Sequence, residues 1–293
     1  MGQVVGFAGI GLMGLPMCKR LLEAGVELWV WNRNLEKCQP LLALGAKQAQ
    51  TPKMLAEKAP IVMTCLADTH AVEHVVFGPL GIAEGAGPLH VLVDFSSADP
   101  ATTRQMAVRF QHQTQGHWVD APVSGGTLGA EQGTLAIMAG GRIEDIEAIR
   151  PLLLNLGQRV TRMGEVGAGQ VTKVCNQMIV ACNAMVIAEV VALAEQSGVD
   201  ASLLAPALAG GFADSKPFQI LAPQMAERSF EPIKWHVRTL LKDLNTALKV
   251  AGEHSSRVPM TQQAAELMQK HANEGFAEQD PATLVLMHAK EAQ

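Results

Sequence analysis

The sequence predicts an α/β protein, a doubly wound parallel sheet followed by an all-α C-terminal domain, with one long helix joining the two. Three observations predict it. Residues 4–31 run as an apolar β-branched segment, a glycine turn, a helical stretch closed by Gly25 and a second apolar segment, Leu28-Trp29-Val30-Trp31. Strand-like and helix-like segments then alternate as far as residue 162, the pattern of a parallel sheet with crossover helices. Finally, residues 170–197 contain neither Gly nor Pro and stop at Gly198, so they read as a single helix of about 42 Å.

The first turn carries the most information. Gly9-Ile10-Gly11-Leu12-Met13-Gly14 has the G-x-G-x-x-G spacing between a strand, Val4 to Ala8, and a helix, so it reads as a Rossmann-type dinucleotide fingerprint. Gly9 permits the tight turn, Gly11 lets the backbone approach a pyrophosphate, and Gly14 lets helix and strand pack closely. The pyrophosphate then sits on the free N–H groups of the helix. At the end of the second strand an NAD site places a carboxylate on the ribose, but this chain has Asn32-Arg33-Asn34. Without the acid nothing repels a 2′-phosphate, and a guanidinium can hold it with paired hydrogen bonds, which favours NADP(H) with NAD still usable.

Further strands are expected at 61–66, 91–94, 118–121, 134–139 and 159–162, with helices at 52–58, 100–111 and 143–156 between them. The boundary falls near residue 164, giving a dinucleotide-binding domain at 1–164 and an all-helical domain for substrate and oligomerisation at 165–293. Residues 178–188 are apolar on nearly all sides, which suits a helix covered by a neighbouring domain or second subunit, hence a homodimer or homotetramer. Lys173, Asn176, Gln177, Asn183 and Glu189 interrupt that region too often for a membrane span.

Composition narrows the function. A chain of 293 residues, 48% hydrophobic and 17% charged, has the make-up of a globular protein with a large core. A net charge of -5 without a basic stripe argues against nucleic acid as partner. Five scattered cysteines, with no C-x-x-C pair, suggest buried thiols in a reducing compartment rather than disulfides or zinc. The first strand begins at once, without a signal-like segment, and the expected location is the cytoplasm. His70-Ala71-Val72-Glu73-His74 has the spacing of a zinc-protease motif, but it follows a strand of the dinucleotide domain and reads as a surface helix, so no metal is expected.

Two further stretches carry polar chemistry. Asp120-Ala121-Pro122-Val123-Ser124-Gly125-Gly126 puts a serine and two bare amides just past a strand end, either a nest for a substrate carboxylate or an ordinary tight turn. Gly167-Ala168-Gly169-Gln170-Val171-Thr172-Lys173 opens the long helix, with Asn176 and Gln177 three and four residues after the lysine and therefore on its face.

Taken together, these stretches resemble the β-hydroxyacid dehydrogenase family over essentially the whole chain. The resemblance rests on four blocks in order: Gly6 to Met17, Asp120 to Gly133, the Lys173 block and Lys242-Asp243-Leu244, with Asp94-Phe95-Ser96-Ser97 similar to the family's D-x-S-[ST] cofactor contact. It implies hydride transfer between NADP(H) and a short β-hydroxyacid or semialdehyde, with tartronate semialdehyde to glycerate foremost. Glyoxylate, succinic semialdehyde and 3-hydroxyisobutyrate are the alternatives. Lys173 takes the role of the catalytic acid or base, assisted by Asn176 and Ser124; Ser124, Gly125, Gly126, Asn176 and Gln177 bind substrate. Besides the fingerprint and residues 32–34, Leu66, Ala67, Ser97 and Lys242 are implied on the cofactor. The chain departs from relatives in carrying Gln177 where many have Asn. A reading of another class is a non-catalytic NADP-binding module, against which the retained lysine and serine-glycine turn speak.

Overall fold

The computed structural model describes residues 3–288. The chain divides into two compact units, Met1–Lys173 and Val174–Gln293.

The first unit is built on one sheet. Its strands are β1 (Val4–Ala8), β2 (Glu27–Trp31), β3 (Lys47–Gln48), β4 (Ile61–Thr64), β5 (Val91–Asp94), β6 (His117–Asp120), β7 (Val123–Ser124), β8 (Ala136–Gly140) and β9 (Arg159–Gly164). They lie in the order β3-β2-β1-β4-β5-β6-β8-β7, with β9 also paired to β8. From β3 to β6 every pairing is parallel, as the alternating pattern predicts. Beyond β6 the sheet turns antiparallel, because β8 pairs β6 and β7 in that sense. The doubly wound parallel sheet expected from sequence is thus present from β3 to β6, and β7, β8 and β9 extend it as a mixed segment in which β9 pairs β8 in the parallel sense. The chain leaves β6 through Ala121-Pro122 into β7 and returns from the helix after it as β8, which runs back against both strands.

Crossover helices cover both faces. They include α1 (Gly14–Glu23), α2 (Pro52–Lys58), α3 (Thr69–Phe77), α4 (Pro100–Thr114), α5 (Gly126–Gln132) and α6 (Ile143–Leu153). Alternate strand residues feed two cores: Val5, Phe7, Val30 and Val119 go to one face, Val62, Leu92 and Trp118 to the other. Strands buried on both faces must be apolar throughout, which is why β4 reads Ile-Val-Met-Thr and is buried at all four positions.

Helix α7 (Ala168–Gln196) begins in the first unit and continues in the second. It ends as its glycine forecasts: Gly198 takes φ +80, and the Val199 N–H closes onto the Ala194 carbonyl. In the second unit α7 packs with α8 (Lys216–Ala226), α9 (Val237–Glu253) and α10 (Pro259–His271) around Ala181, Ala188, Phe218, Leu221, Leu244 and Met268. By length and composition α7 is apolar enough to cross a membrane, and 39% of its most apolar window is buried inside the protein. Ile179, Val186 and Leu193, spaced by seven, are exposed. Of the cysteines, Cys18 and Cys38 are buried as expected, whereas Cys175 is exposed on the outer face of α7.

Candidate active site

The carboxyl ends of the parallel strands hold most of the residues singled out from sequence. At the β1–α1 turn the three glycines have separate physical roles. Gly9 has φ +104, and a Cβ there would lie 2.3 Å from the Cys65 carbonyl oxygen. A Cβ on Gly14 would lie 1.9 Å from the Gly9 carbonyl oxygen, so α1 starts in direct backbone contact with the turn. A Cβ on Gly11 would meet nothing within 4 Å, so that glycine answers to no protein neighbour. Helix α1 has no side-chain cap and no acid in its first turn, which suits the approach of an anion. A cavity of about 720 Å³ opens beside Ile10, Gly11 and Leu12 and runs along α1, where Lys19, Arg20 and Lys37 line it together with Glu23 and Glu131. Met13 is half-buried and Leu12 exposed. The residues present thus fit a dinucleotide pyrophosphate.

The segment 32–34 splits into two roles. Asn32 Oδ1 accepts the Ile10 N–H at 3.0 Å and its Nδ2 donates to the Asn34 carbonyl at 2.9 Å, which ties the fingerprint turn to the end of β2. Asn34 Oδ1 accepts the Glu36 N–H. Arg33 stands exposed between them. After β4 the Leu66 N–H donates to Ser96 Oγ at 2.8 Å, so Ser96 is turned inward while Ser97 and Ala67 face solvent.

The end of β6 meets the start of α7. Asp120 is fully buried; its Oδ1 accepts the Gly167 N–H at 2.7 Å and its Oδ2 the Gln170 N–H at 2.8 Å. Three residues beyond Asp120, the Val123 carbonyl accepts a hydrogen bond from Lys173 Nζ at 2.9 Å. Ser124, Gly125 and Gly126 follow directly, with φ +140 and +64 at the two glycines and open space beside Gly126. Lys173 and the Ser124-Gly125-Gly126 turn, 47 to 49 residues apart in sequence, are therefore neighbours.

In the second unit Asn176 and Gln177 form a chain with α9. Asn176 Nδ2 donates to Gln177 Oε1 at 2.8 Å, and Gln177 Nε2 donates to Asp243 Oδ2 at 2.5 Å. Lys242 Nζ lies 3.2 Å from Asp243 Oδ1, with most of its side chain exposed. Both ends of the Gln177 amide are thus engaged by protein groups.

Comparison with known proteins gives this arrangement its context. A family model described as the NAD binding domain of 6-phosphogluconate dehydrogenase matches residues 4–164, and one described as NAD-binding of NADP-dependent 3-hydroxyisobutyrate dehydrogenase matches 167–287. The Escherichia coli protein named 2-hydroxy-3-oxopropionate reductase is 37% identical over 281 residues, 96% of this chain and 95% of that one. The chain belongs to the 3-hydroxyisobutyrate dehydrogenase-like family. As a member it is an NAD(P)-dependent oxidoreductase. Among solved structures, the Mycobacterium tuberculosis 3-hydroxyisobutyrate dehydrogenase with L-serine is 26% identical, with a TM-score of 0.86 over 98% of this chain and 99% of that one. A structure described as Psf3 in complex with NADP+ and 2-OPP is also 26% identical, with a TM-score of 0.84 over 97% and 100%.

Several residues of this dehydrogenase's site carry a role that sequence reasoning did not give them. Asp94 is fully buried on β5, in register with Asp120. Its Oδ1 accepts from Thr64 Oγ1 and the Ser96 N–H, while Oδ2 has no hydrogen-bond partner among the described residues. Burial pushes both carboxyls up to about 6, against the hydrogen bonds each accepts. Burial, with the Asp94 charge, likewise pushes the Cys65 thiol up to about 12, so it is no nucleophile at neutral pH. Gln170 is also buried, its amide bonded to Ser96 O and the Ala98 N–H. The only forewarning of these was a polar residue at a strand end or helix start. The histidine motif resolves as a solvated surface: His70, Glu73 and His74 lie exposed, and Glu73 faces Arg109 at 3.7 Å.

Proposed function

We propose that this dehydrogenase reduces a short acid semialdehyde with NADPH, tartronate semialdehyde to glycerate foremost, and runs the reverse oxidation through the same groups. The observation that carries the reading is the hydrogen bond from Lys173 Nζ to the Val123 carbonyl, which sets an ammonium beside a turn of backbone amides at Ser124-Gly125-Gly126. An ammonium next to an anion nest suits a substrate with a carboxylate and a carbonyl one or two carbons apart. The 37%-identical relative is named for a reductase of this kind, and one of the structural neighbours is described with NADP+, which supports the same choice.

The cofactor supplies a hydride when bound. Gly9, Ile10, Gly11, Leu12, Met13 and Gly14 hold its pyrophosphate, Arg33 its 2′-phosphate, and Leu66, Ala67, Ser97 and Lys242 its remaining polar surface. Ser124, Gly125 and Gly126 bind the substrate carboxylate. Lys173 Nζ gives a proton to the carbonyl oxygen as the carbon is reduced, so that aldehyde becomes alcohol with atoms and charge balanced. Proton transfer of this kind is typically worth about 10² to 10⁴ in rate. Asn176 orients the reacting oxygen, and Gln177 holds Asn176. The 1–164 segment acts as the cofactor domain and 165–293 as the substrate and oligomer domain, where the exposed Ile179, Val186 and Leu193 stripe buries in a homodimer or homotetramer. In the helical domain Phe212, Lys216 and Trp235 are the side chains assigned to substrate choice; Phe212 and Lys216 are exposed and Trp235 is half-buried.

The test is oxidation of NADPH and NADH by the purified protein, and by Lys173→Ala, against tartronate semialdehyde, glyoxylate, succinic semialdehyde and methylmalonate semialdehyde. Turnover with NADPH that falls about 10²-fold or more in Lys173→Ala is expected. Equal turnover by the two proteins would sink the reading.

A further inference from the structure

We infer that Asp120 positions Lys173: one buried carboxylate clamps the helix that carries the lysine onto the strand that carries its hydrogen-bond acceptor. The inference rests on the proposed role of Lys173. Its basis is a closed circuit within the first unit. From Asp120 the chain runs three residues to Val123, whose carbonyl accepts Lys173 Nζ at 2.9 Å. From Lys173 the helix runs back three residues to Gln170, whose N–H donates to Asp120 Oδ2 at 2.8 Å, while the Gly167 N–H donates to Oδ1 at 2.7 Å. The first amides of a helix have no partner within it, and here two donors at the start of α7 end on a side chain 47 and 50 residues away in sequence.

The packing leaves the clamp no slack. A Cβ on Gly169 would stand 2.3 Å from the Met138 carbonyl oxygen and 2.8 Å from Asp120 Oδ2; a Cβ on Gly140 would stand 2.5 Å from Asp120 Oδ1. Gly169 is thus explained by the close approach of the helix start to a carboxylate, and Gly167 by its φ of +90 and by the Arg104 side chain beside it. Gln170 fixes the same turn a second time, through Ser96 O and the Ala98 N–H. A local serine or asparagine cap could satisfy such amides without burying a charge. The carboxylate joins helix and strand at once, and its rigidity passes to an ammonium one turn further on. Misplacing a reacting group by about 1 Å can cost about 10²-fold in rate.

The experiment is Asp120→Asn, which keeps the shape but turns an NH₂ toward one of the two donated N–H groups. Thermal unfolding, NADPH affinity, KM and the single-turnover rate of NADPH oxidation are measured beside wild type, Lys173→Ala and Asp280→Asn, the last a buried aspartate of the second unit that also accepts two main-chain amides, those of Lys234 and Ala282. The expected result is a fall of about 10- to 100-fold in kcat and in the single-turnover rate, with NADPH affinity within about threefold and Asp280→Asn within about twofold of wild-type kcat. A merely structural role would lower the unfolding temperature and leave the single-turnover rate of the folded fraction alone, which overturns the inference. If Lys173→Ala abolishes turnover and Asp120→Asn keeps it, the inference alone fails; if Lys173→Ala keeps it, the proposed function fails. Should Asp120→Asn not fold, amide exchange in the wild type decides: protected Gly167 and Gln170 amides uphold the clamp, and exchange at unfolded-chain rates overturns it.

Discussion

Helices α1 and α7 both start at the carboxyl edge of the same sheet, and both starts are rich in glycine, yet they present opposite surfaces. At α1 no side chain caps the first turn and a Cβ on Gly11 would find empty space. At α7 donors at the helix start end on Asp120, and Gly169 is pressed against backbone and carboxylate. The unsatisfied amides of a helix start attract negative charge in either case. At α1 that attraction is left for an incoming pyrophosphate; at α7 it is spent internally, which makes a rigid mount for Lys173. Glycine spacing alone therefore does not mark an anion site. What surrounds the missing Cβ decides.

The largest effect expected from this contrast lies inside the fingerprint itself. Gly14→Ala puts a methyl 1.9 Å from the Gly9 carbonyl oxygen, a backbone atom that cannot step aside, so it should cost about 3 kcal/mol of stability and abolish NADPH binding in whatever folds. Gly11→Ala meets no protein atom and should leave the unfolding temperature unchanged while weakening NADPH about 10- to 100-fold. Thermal melts and fluorescence titrations of the pair check this. A Gly11→Ala protein that melts early but binds normally would erase the distinction between ligand-facing and protein-facing glycines.

A smaller effect is expected at the end of β2. Asn32 and Asn34 are engaged in the turn, which leaves Arg33 exposed, the residue proposed to hold the 2′-phosphate. Hydrogen bonds to charged groups are worth about 1.5–3 kcal/mol, so Arg33→Ala should raise KM for NADPH about 10- to 100-fold and leave KM for NADH alone. Equal losses with both cofactors would mean that the arginine supports the turn and does not select the cofactor.

How much of this was legible in the sequence depended on how far apart the partners lie. The fingerprint was legible because its constraints act between residues five or fewer apart: Gly9 takes the positive φ of a tight turn, Gly14 packs the helix against that turn, and Gly11 meets no protein atom. The long helix was legible to within two residues at each end, because an uninterrupted run closed by Gly198 is a local signal. The reversal of the sheet beyond β6 was not, since the alternation of apolar residues carries no information on strand direction. Nor could periodicity pair Asp120 with Gly167 or Gln177 with Asp243, which lie 47 and 66 residues apart. The sequence reading placed Asn176 and Gln177 on one helix face with the lysine, yet only the partner across from Gln177 separates their roles.

The smallest effect tests the two buried carboxylates against each other. Asp94 and Asp120 sit in register on adjacent strands, each raised to about 6 by burial, but Asp120 accepts a main-chain amide on each oxygen whereas Asp94 leaves Oδ2 unpaired. An aspartate raised in the folded state binds its proton more tightly there than in the unfolded chain, where its pKa is about 3.9. Between pH about 4 and 6 the folded protein therefore holds a proton that the unfolded chain has released. The contribution of Asp94 to stability thus falls as pH rises through that window and stays low above it. Asp94→Asn keeps an oxygen for Thr64 and Ser96 and removes the unpaired charge, so it should stabilise the protein by on the order of 1 kcal/mol at pH 7.5. The gain should shrink toward zero as pH falls through about 4, below which the wild-type carboxyl becomes neutral in both states. Denaturant unfolding of both proteins across that range checks it. A gain that does not change with pH would come from packing and not from the charge, and Asp94 would then cease to be the uncompensated member of the pair.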